Sequence, residues 1–169
     1  MAVRSASEGI LSDDKAGKRE ELIELLKKAY WMEIETVMSY IANSINPDGV
    51  RAQEIIESLQ ADITEELGHA QQFANRIKEL YGVVPGSLDF SAEQSYLQPP
   101  EHQTDIVHVI KGVIEAESGA IEHYNQVIEW CEGKDPVTQD MVIAILHDEE
   151  GHRRLFEGFL REYKAEGKA

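Results

Sequence analysis

Two stretches decide how this chain folds: Glu66-Leu67-Gly68-His69-Ala70-Gln71-Gln72-Phe73 and Glu149-Glu150-Gly151-His152-Arg153-Arg154-Leu155-Phe156. Each sets a glutamate and a histidine three residues apart and a phenylalanine four further on, which is the spacing of one face of a helix. Each is preceded by a second matched pair. Glu33 and Tyr40 are seven residues apart, as are Glu117 and Tyr124. Glu33 and Glu117 lie 84 positions apart and Glu66 and Glu149 lie 83 apart, so the chain contains two similar halves. Two similar hairpins about an approximate two-fold axis bring the six polar residues around one point.

Working outward, every segment around these residues repeats with helical period and none alternates with period two. The inward stripes read Leu22, Leu26, Ala29, Glu33, Thr36, Tyr40; then Leu59, Glu66, His69, Phe73, Leu80; then Ile106, Ile110, Val113, Glu117, Ala120, Tyr124; and then Val142, Ile145, Glu149, His152, Phe156, Phe159. Each apolar stripe carries a carboxylate near its middle. Three breaks separate the helices: Asn46-Pro47-Asp48-Gly49, a long stretch from Gly82 through Pro99-Pro100, and Gly133-Lys134-Asp135-Pro136. In the last, Asp135 is placed to cap the following helix and Pro136 to enter its first turn. The spacing predicts helices over about 18–45, 50–81, 104–132 and 137–165. Two short breaks give two antiparallel hairpins, and the stretch 82–103 is long enough to cross the bundle between helices 2 and 3. The expected fold class is all-α: a four-helix bundle over 18–166 behind a flexible, polar N-terminal tail, 1–17.

The 169-residue length suits one domain, and 42% hydrophobic with 28% charged residues is the composition of a globular protein. Its charge balance is unusual: 32 acidic against 16 basic residues give −16. Such a surface repels nucleic acid and anionic membranes and attracts cations. The N-terminal residues lack the apolar core of a secretion signal. No segment approaches the roughly 20 apolar residues a membrane span requires. Cys131 is the only cysteine, so no intrachain disulfide forms. These features point to a cytoplasmic protein.

Four carboxylates buried in an apolar interior repel one another and lose hydration. Two divalent cations balance their charge, while neutral imidazoles add donors without charge. Oxygen-rich donors with one imidazole per ion suit iron or manganese, with zinc able to compete. The candidate ligands are therefore Glu33, Glu66, His69, Glu117, Glu149 and His152, holding two metal ions per chain. Tyr40 and Tyr124 are expected as core residues with a hydrogen bond near the site. Glu35, Glu115 and Glu122 lie off the stripes and are expected in solvent; His102, His108, His123 and His147 are read as surface or packing residues, and Cys131 as an inert thiol.

One glutamate from each of two helices plus Glu-x-x-His from each of the other two is the constellation of ferritin-like di-iron proteins. The segment Ile145–His152 resembles the fourth-helix signature of bacterioferritins, over residues 20–165 of the chain. Glu115-Ala116-Glu117 with Ala120-Ile121, and Gly133–Pro136, are similar to the Dps-like ferritins. The resemblance implies that Glu33 and Glu117 are terminal ligands, that Glu66 and Glu149 bridge, and that His69 and His152 bind one iron each. It also implies that Asp148 and Glu65 each orient the histidine of the other hairpin. It implies a ferroxidase that oxidises ferrous iron with hydrogen peroxide or dioxygen and stores or detoxifies the ferric product in a homo-oligomeric shell. Leu67 stands where bacterioferritins place the methionine that binds haem, which argues against haem. About 17 residues follow His152, too few for the fifth helix of 24-subunit ferritins, so a 12-subunit shell or a smaller assembly is expected. Gly119 occupies one position of the paired cysteines of the archaeal Dps-like branch. The N-terminal basic residues are too few for DNA coating. The alternative is a di-iron or di-manganese redox enzyme such as a rubrerythrin-like peroxide reductase, although the paired C-x-x-C motifs that rubrerythrin uses for electron delivery are missing.

Overall fold

A computed structural model describes residues 6–169; residues 1–5 of the expected tail lie outside the described residues. Four helices run the length of the molecule: α1, Ala16–Ile45; α2, Ala52–Glu79; α3, Ile106–Cys131; and α4, Pro136–Ala165. No strand occurs among the described residues. Helix α1 packs along α2 and α3 along α4, and the two hairpins meet through α1 against α3 and α2 against α4. The expected stripes form the core. Leu22, Leu26, Leu59, Phe73, Ile110, Val113, Val142 and Phe156 are all fully buried, while Phe159 is only partly buried against the core.

The short turns form where their residues permit. At the α3–α4 turn Gly133 has φ +67, a left-handed conformation that costs glycine nothing. Asp135 accepts from the amides of Val137 and Thr138 at 3.2 Å, and Pro136 occupies the first turn of α4. The long connection returns along the bundle to the turn between α1 and α2, where the Asp48 amide donates to Gln103 O at 3.0 Å. It lies flat on α3 because residue 112 is glycine: a Cβ there would sit 2.6 Å from the Tyr96 carbonyl oxygen.

Two expectations need correcting. From Ala6 onward the N-terminal segment is not a free tail. It winds through two 3-10 turns, Ala6–Leu11 and Asp13–Lys15, with Ile10 and Ser12 buried. The Arg19 guanidinium, itself buried, holds it by donating to Ile10 O at 3.0 Å and to Ser12 O. Glu35, expected in solvent, is 5% exposed because the crossover covers it, and its carboxylate accepts from the amides of Glu93 and Gln94. Glu115 and Glu122 are exposed, as expected.

Candidate metal centre

The six candidate ligands converge at mid-bundle. Glu33 comes from α1, Glu66 and His69 from α2, Glu117 from α3, and Glu149 and His152 from α4. The four glutamates are at most 2% exposed, His69 3% and His152 9%. They form two overlapping groups: Glu33, Glu66, His69 and Glu149, and Glu66, Glu117, Glu149 and His152. Within each group the donor atoms lie within 4.8 Å of one another, and Glu66 and Glu149 belong to both. Glu66 and Glu149 are thus the carboxylates common to both groups, with Glu33 and Glu117 each in one.

Both imidazoles turn Nδ1 inward. His69 Nδ1 is 2.9 Å from Glu149 Oε1 and 3.5 Å from Glu66 Oε2. His152 Nδ1 is 3.3 Å from Glu66 Oε1 and 3.5 Å from Glu149 Oε2. Each Nε2 faces outward to a carboxylate of the other hairpin, His69 to Asp148 at 3.3 Å and His152 to Glu65 at 3.2 Å. A carboxylate accepting from the outer nitrogen leaves the inner one as the free donor atom. The tyrosines cross in the same way. Tyr40 of α1 donates to Glu117 of α3, and Tyr124 of α3 donates to Glu33 of α1.

Five fully buried atoms at the centre, both oxygens of Glu66, Oε1 of Glu149, and Nδ1 of His69 and of His152, make no well-directed hydrogen bond and meet only one another, in histidine–carboxylate contacts of 2.9, 3.3 and 3.5 Å. A buried polar atom left unmet costs on the order of 1–3 kcal/mol, and five in one place are an arrangement that cations satisfy. Oxygen and imidazole donors in this ratio fit divalent transition metals. The residues therefore fit a pair of such ions.

Electrostatics agrees. Burial, together with the charges of Glu66 and Glu149, pushes Glu33 and Glu117 well above the ordinary carboxylate range, and the tyrosine hydroxyls only partly offset it. Burial also pushes on Glu66, but close contacts with His152, His69 and Glu33 outweigh it and take Glu66 down to about 2; Glu149 is lowered too, mainly because its histidine contacts outweigh burial and the charge of Glu66. Against burial, the close carboxylates of Glu149 and Glu66 raise His69 to about 10 and His152 to about 12. Four ionised carboxylates carry −4, which two divalent cations held with two neutral imidazoles bring to zero.

The sequence stripes omit Asp62. It lies one turn before Glu66, is 7% exposed, and places Oδ1 3.7 Å from His152 Nε2 while Oδ2 has no partner. Burial, only partly countered by His152, pushes it up to about 6. The four-residue step back from Glu66 was its one available signal. The remaining histidines stand apart from the centre: His102, His108 and His147 are exposed, and buried His123 donates to Leu25 O at 2.9 Å. Cys131 is buried, which pushes its thiol to about 12 and leaves it unreactive.

Helices, crossover and carboxylate–histidine cluster together define a ferritin-like bundle, and comparison with known proteins agrees. The model of the Ferritin-like domain family matches residues 23–165, and the chain belongs to that family. Among curated relatives, the DNA protection during starvation protein of Pyrococcus furiosus is 34% identical over 146 residues, 83% of this chain and 77% of that protein. The bacterioferritin of Desulfovibrio desulfuricans is 28% identical over 147 residues, 84% of this chain and 78% of that protein. Among solved structures, a dodecameric thioferritin, the bacterioferritin-related protein from Bacteroides fragilis, superposes with a TM-score of 0.76 at 23% identity, covering 89% of this chain and 90% of that one. Among the described residues no helix is long and apolar enough to cross a membrane.

Proposed function

We propose that the protein is a ferroxidase whose substrate is ferrous iron, bound two ions per chain in the central cluster. Glu66 and Glu149 bridge the pair, Glu33 and Glu117 bind one ion each from the ends, and His69 and His152 supply one nitrogen each. The observation that carries this reading is the set of five buried donor atoms that converge on one point and make no well-directed hydrogen bond within the protein. Manganese or zinc can take the same donors.

Each ferrous ion gives up one electron, and the pair reduces one hydrogen peroxide with two protons to two waters; dioxygen is the other candidate oxidant. The protein's part is to hold the ions at one point, match their charge with four carboxylates and keep both histidines oriented through Asp148 and Glu65. Tyr40 and Tyr124 fix the terminal carboxylates from the opposite hairpin. The relationship to Dps and bacterioferritin proteins supports iron as the metal and a homo-oligomeric shell, of twelve subunits by analogy with the Bacteroides relative, as the destination of ferric product. Leu67, 41% exposed on α2, offers no sulfur to a haem.

Adding ferrous iron to metal-free protein in the presence of oxidant tests this. Fast oxidation is expected to break at about two ions per chain, and Glu66→Ala or His152→Ala to abolish the fast phase. Unchanged fast oxidation in both variants rules the reading out. Turnover with an external reductant and no ferric product retained would move the protein to the rubrerythrin-like alternative.

A further inference from the structure

The internal repeat breaks where the crossover lies. At the offset that relates Glu33 to Glu117, the counterpart of Glu35 is Gly119. Glu35 holds the crossover to α1 through the amides of Glu93 and Gln94. Its counterpart on α3 has no side chain at all. Glycine inside a helix is destabilising, and no close contact demands it at this position. A Cβ on Gly112 would sit 2.6 Å from a carbonyl oxygen; one on Gly119 would meet nothing nearer than the Tyr96 hydroxyl at 3.7 Å and Met32 Cε at 4.0 Å. What Gly119 leaves is space. It lines a cavity of about 930 Å³ between α1, α3 and the crossover, and small-molecule sites span roughly 300–1,000 Å³.

The lining is that of a ligand site. Trp31, Met32 and Tyr96, all half-buried, form aromatic and apolar walls, with Trp31 braced on Phe90 at a ring distance of 5.1 Å. His123 reaches the cavity from α3 and is 3% exposed. Its Nε2 donates to Leu25 O at 2.9 Å, which leaves Nδ1 as an acceptor. Among the described residues that nitrogen has no hydrogen-bond partner. Gln126, an exposed amide on the same wall, stands beside the ring without supplying a well-directed bond. At the solvent side Glu24, Asp89, Glu93 and Glu122 outnumber Lys27 and Lys28, so an anionic ligand is repelled. We propose that this cavity binds an uncharged planar aromatic molecule, which stacks on Trp31 and donates an N–H or O–H to His123 Nδ1 as Gln126 turns aside. Stacking on an indole and one satisfied buried acceptor are what fix such a ligand. The proposal is independent of the chemistry at the metal centre.

Riboflavin, uncharged and carrying one imide N–H on its ring, is the probe, and the metal-free full chain is the protein. Titration is expected to quench the flavin emission to saturation at one molecule per chain. N3-methylriboflavin, which lacks the ring donor, should bind about tenfold or more weakly. Gly119→Leu fills the cavity and should abolish saturable quenching. Its thermal midpoint should hold or rise, because leucine is the better helix former. Trp31→Leu, at a partly exposed position, should weaken binding by about tenfold or more in equilibrium dialysis. Absence of saturable riboflavin binding overturns the proposal, as does equal affinity for the methylated compound. So does undiminished binding by a folded Gly119→Leu or Trp31→Leu protein.

Discussion

Two of the places where the bundle buries charge are built on opposite plans. Where the end of α2 meets the α3–α4 turn, Arg76 donates to Asp135 at 2.9 and 3.1 Å and to Thr138 Oγ1 at 2.8 Å. Asp135 also takes the hydroxyl of Thr138 and the first amides of α4. All of these bonds are supplied by the protein itself. At mid-bundle, four carboxylates and two imidazoles crowd together and five donor atoms make no well-directed hydrogen bond. A closed network ties two hairpins together; an open one is arranged around something the protein must acquire.

Breaking the closed network should produce the largest effect. Arg76→Ala strands Asp135 as a buried charge and is expected to cost about 3–5 kcal/mol, seen as a fall of roughly 10 °C in the thermal midpoint. A midpoint within a degree or two of wild type would show that the latch contributes nothing. The open network should respond to ligand instead. Saturating Mn(II) at about a hundred times its dissociation constant stabilises by about 2.7 kcal/mol per site, several degrees for a chain of this size. Glu66→Ala should lose that shift entirely while Arg76→Ala keeps it, and calorimetric scans with and without the ion separate the two.

A third difference is pH. His69, at about 10, and His152, at about 12, hold protons at neutral pH because the close carboxylates of Glu149 and Glu66 outweigh burial. A cation must displace those protons, so apparent affinity should fall as pH falls, by about tenfold per unit for each proton displaced. Titration in weakly buffered solution should detect the released protons. Metal binding without proton release would contradict the charge assignment. The smallest expected effect is at the crossed hydroxyls. Tyr124→Phe removes one hydrogen bond to Glu33, worth about 1 kcal/mol, and should weaken metal binding without abolishing it.

How much of this is legible in the sequence follows from what sets each position. Ligands on a helix must recur at helical spacing, so the Glu-x-x-His pairs and their partners Glu33 and Glu117 are plain from residue order, as are the turns that Pro47, Gly133 and Asp135 impose. Asp62 is hidden because the internal repeat, which exposes the other six, pairs it with Ile145 and makes it look like an isolated acid. Glu35 is hidden for another reason: its partners are backbone amides of the crossover, a segment with no periodicity to betray where it lies. The same holds for residues 6–15, whose burial depends on Arg19 reaching back to two carbonyl groups.

Anaerobic calorimetric titration of the metal-free protein with ferrous iron bears most directly on the purpose of the buried acids. Tight uptake of about two ions per chain in the central cluster, absent from Glu66→Ala and His152→Ala, is the expected result. No uptake, or the same uptake in all three proteins, would mean that the acids at the centre of the bundle are there for something other than a pair of cations.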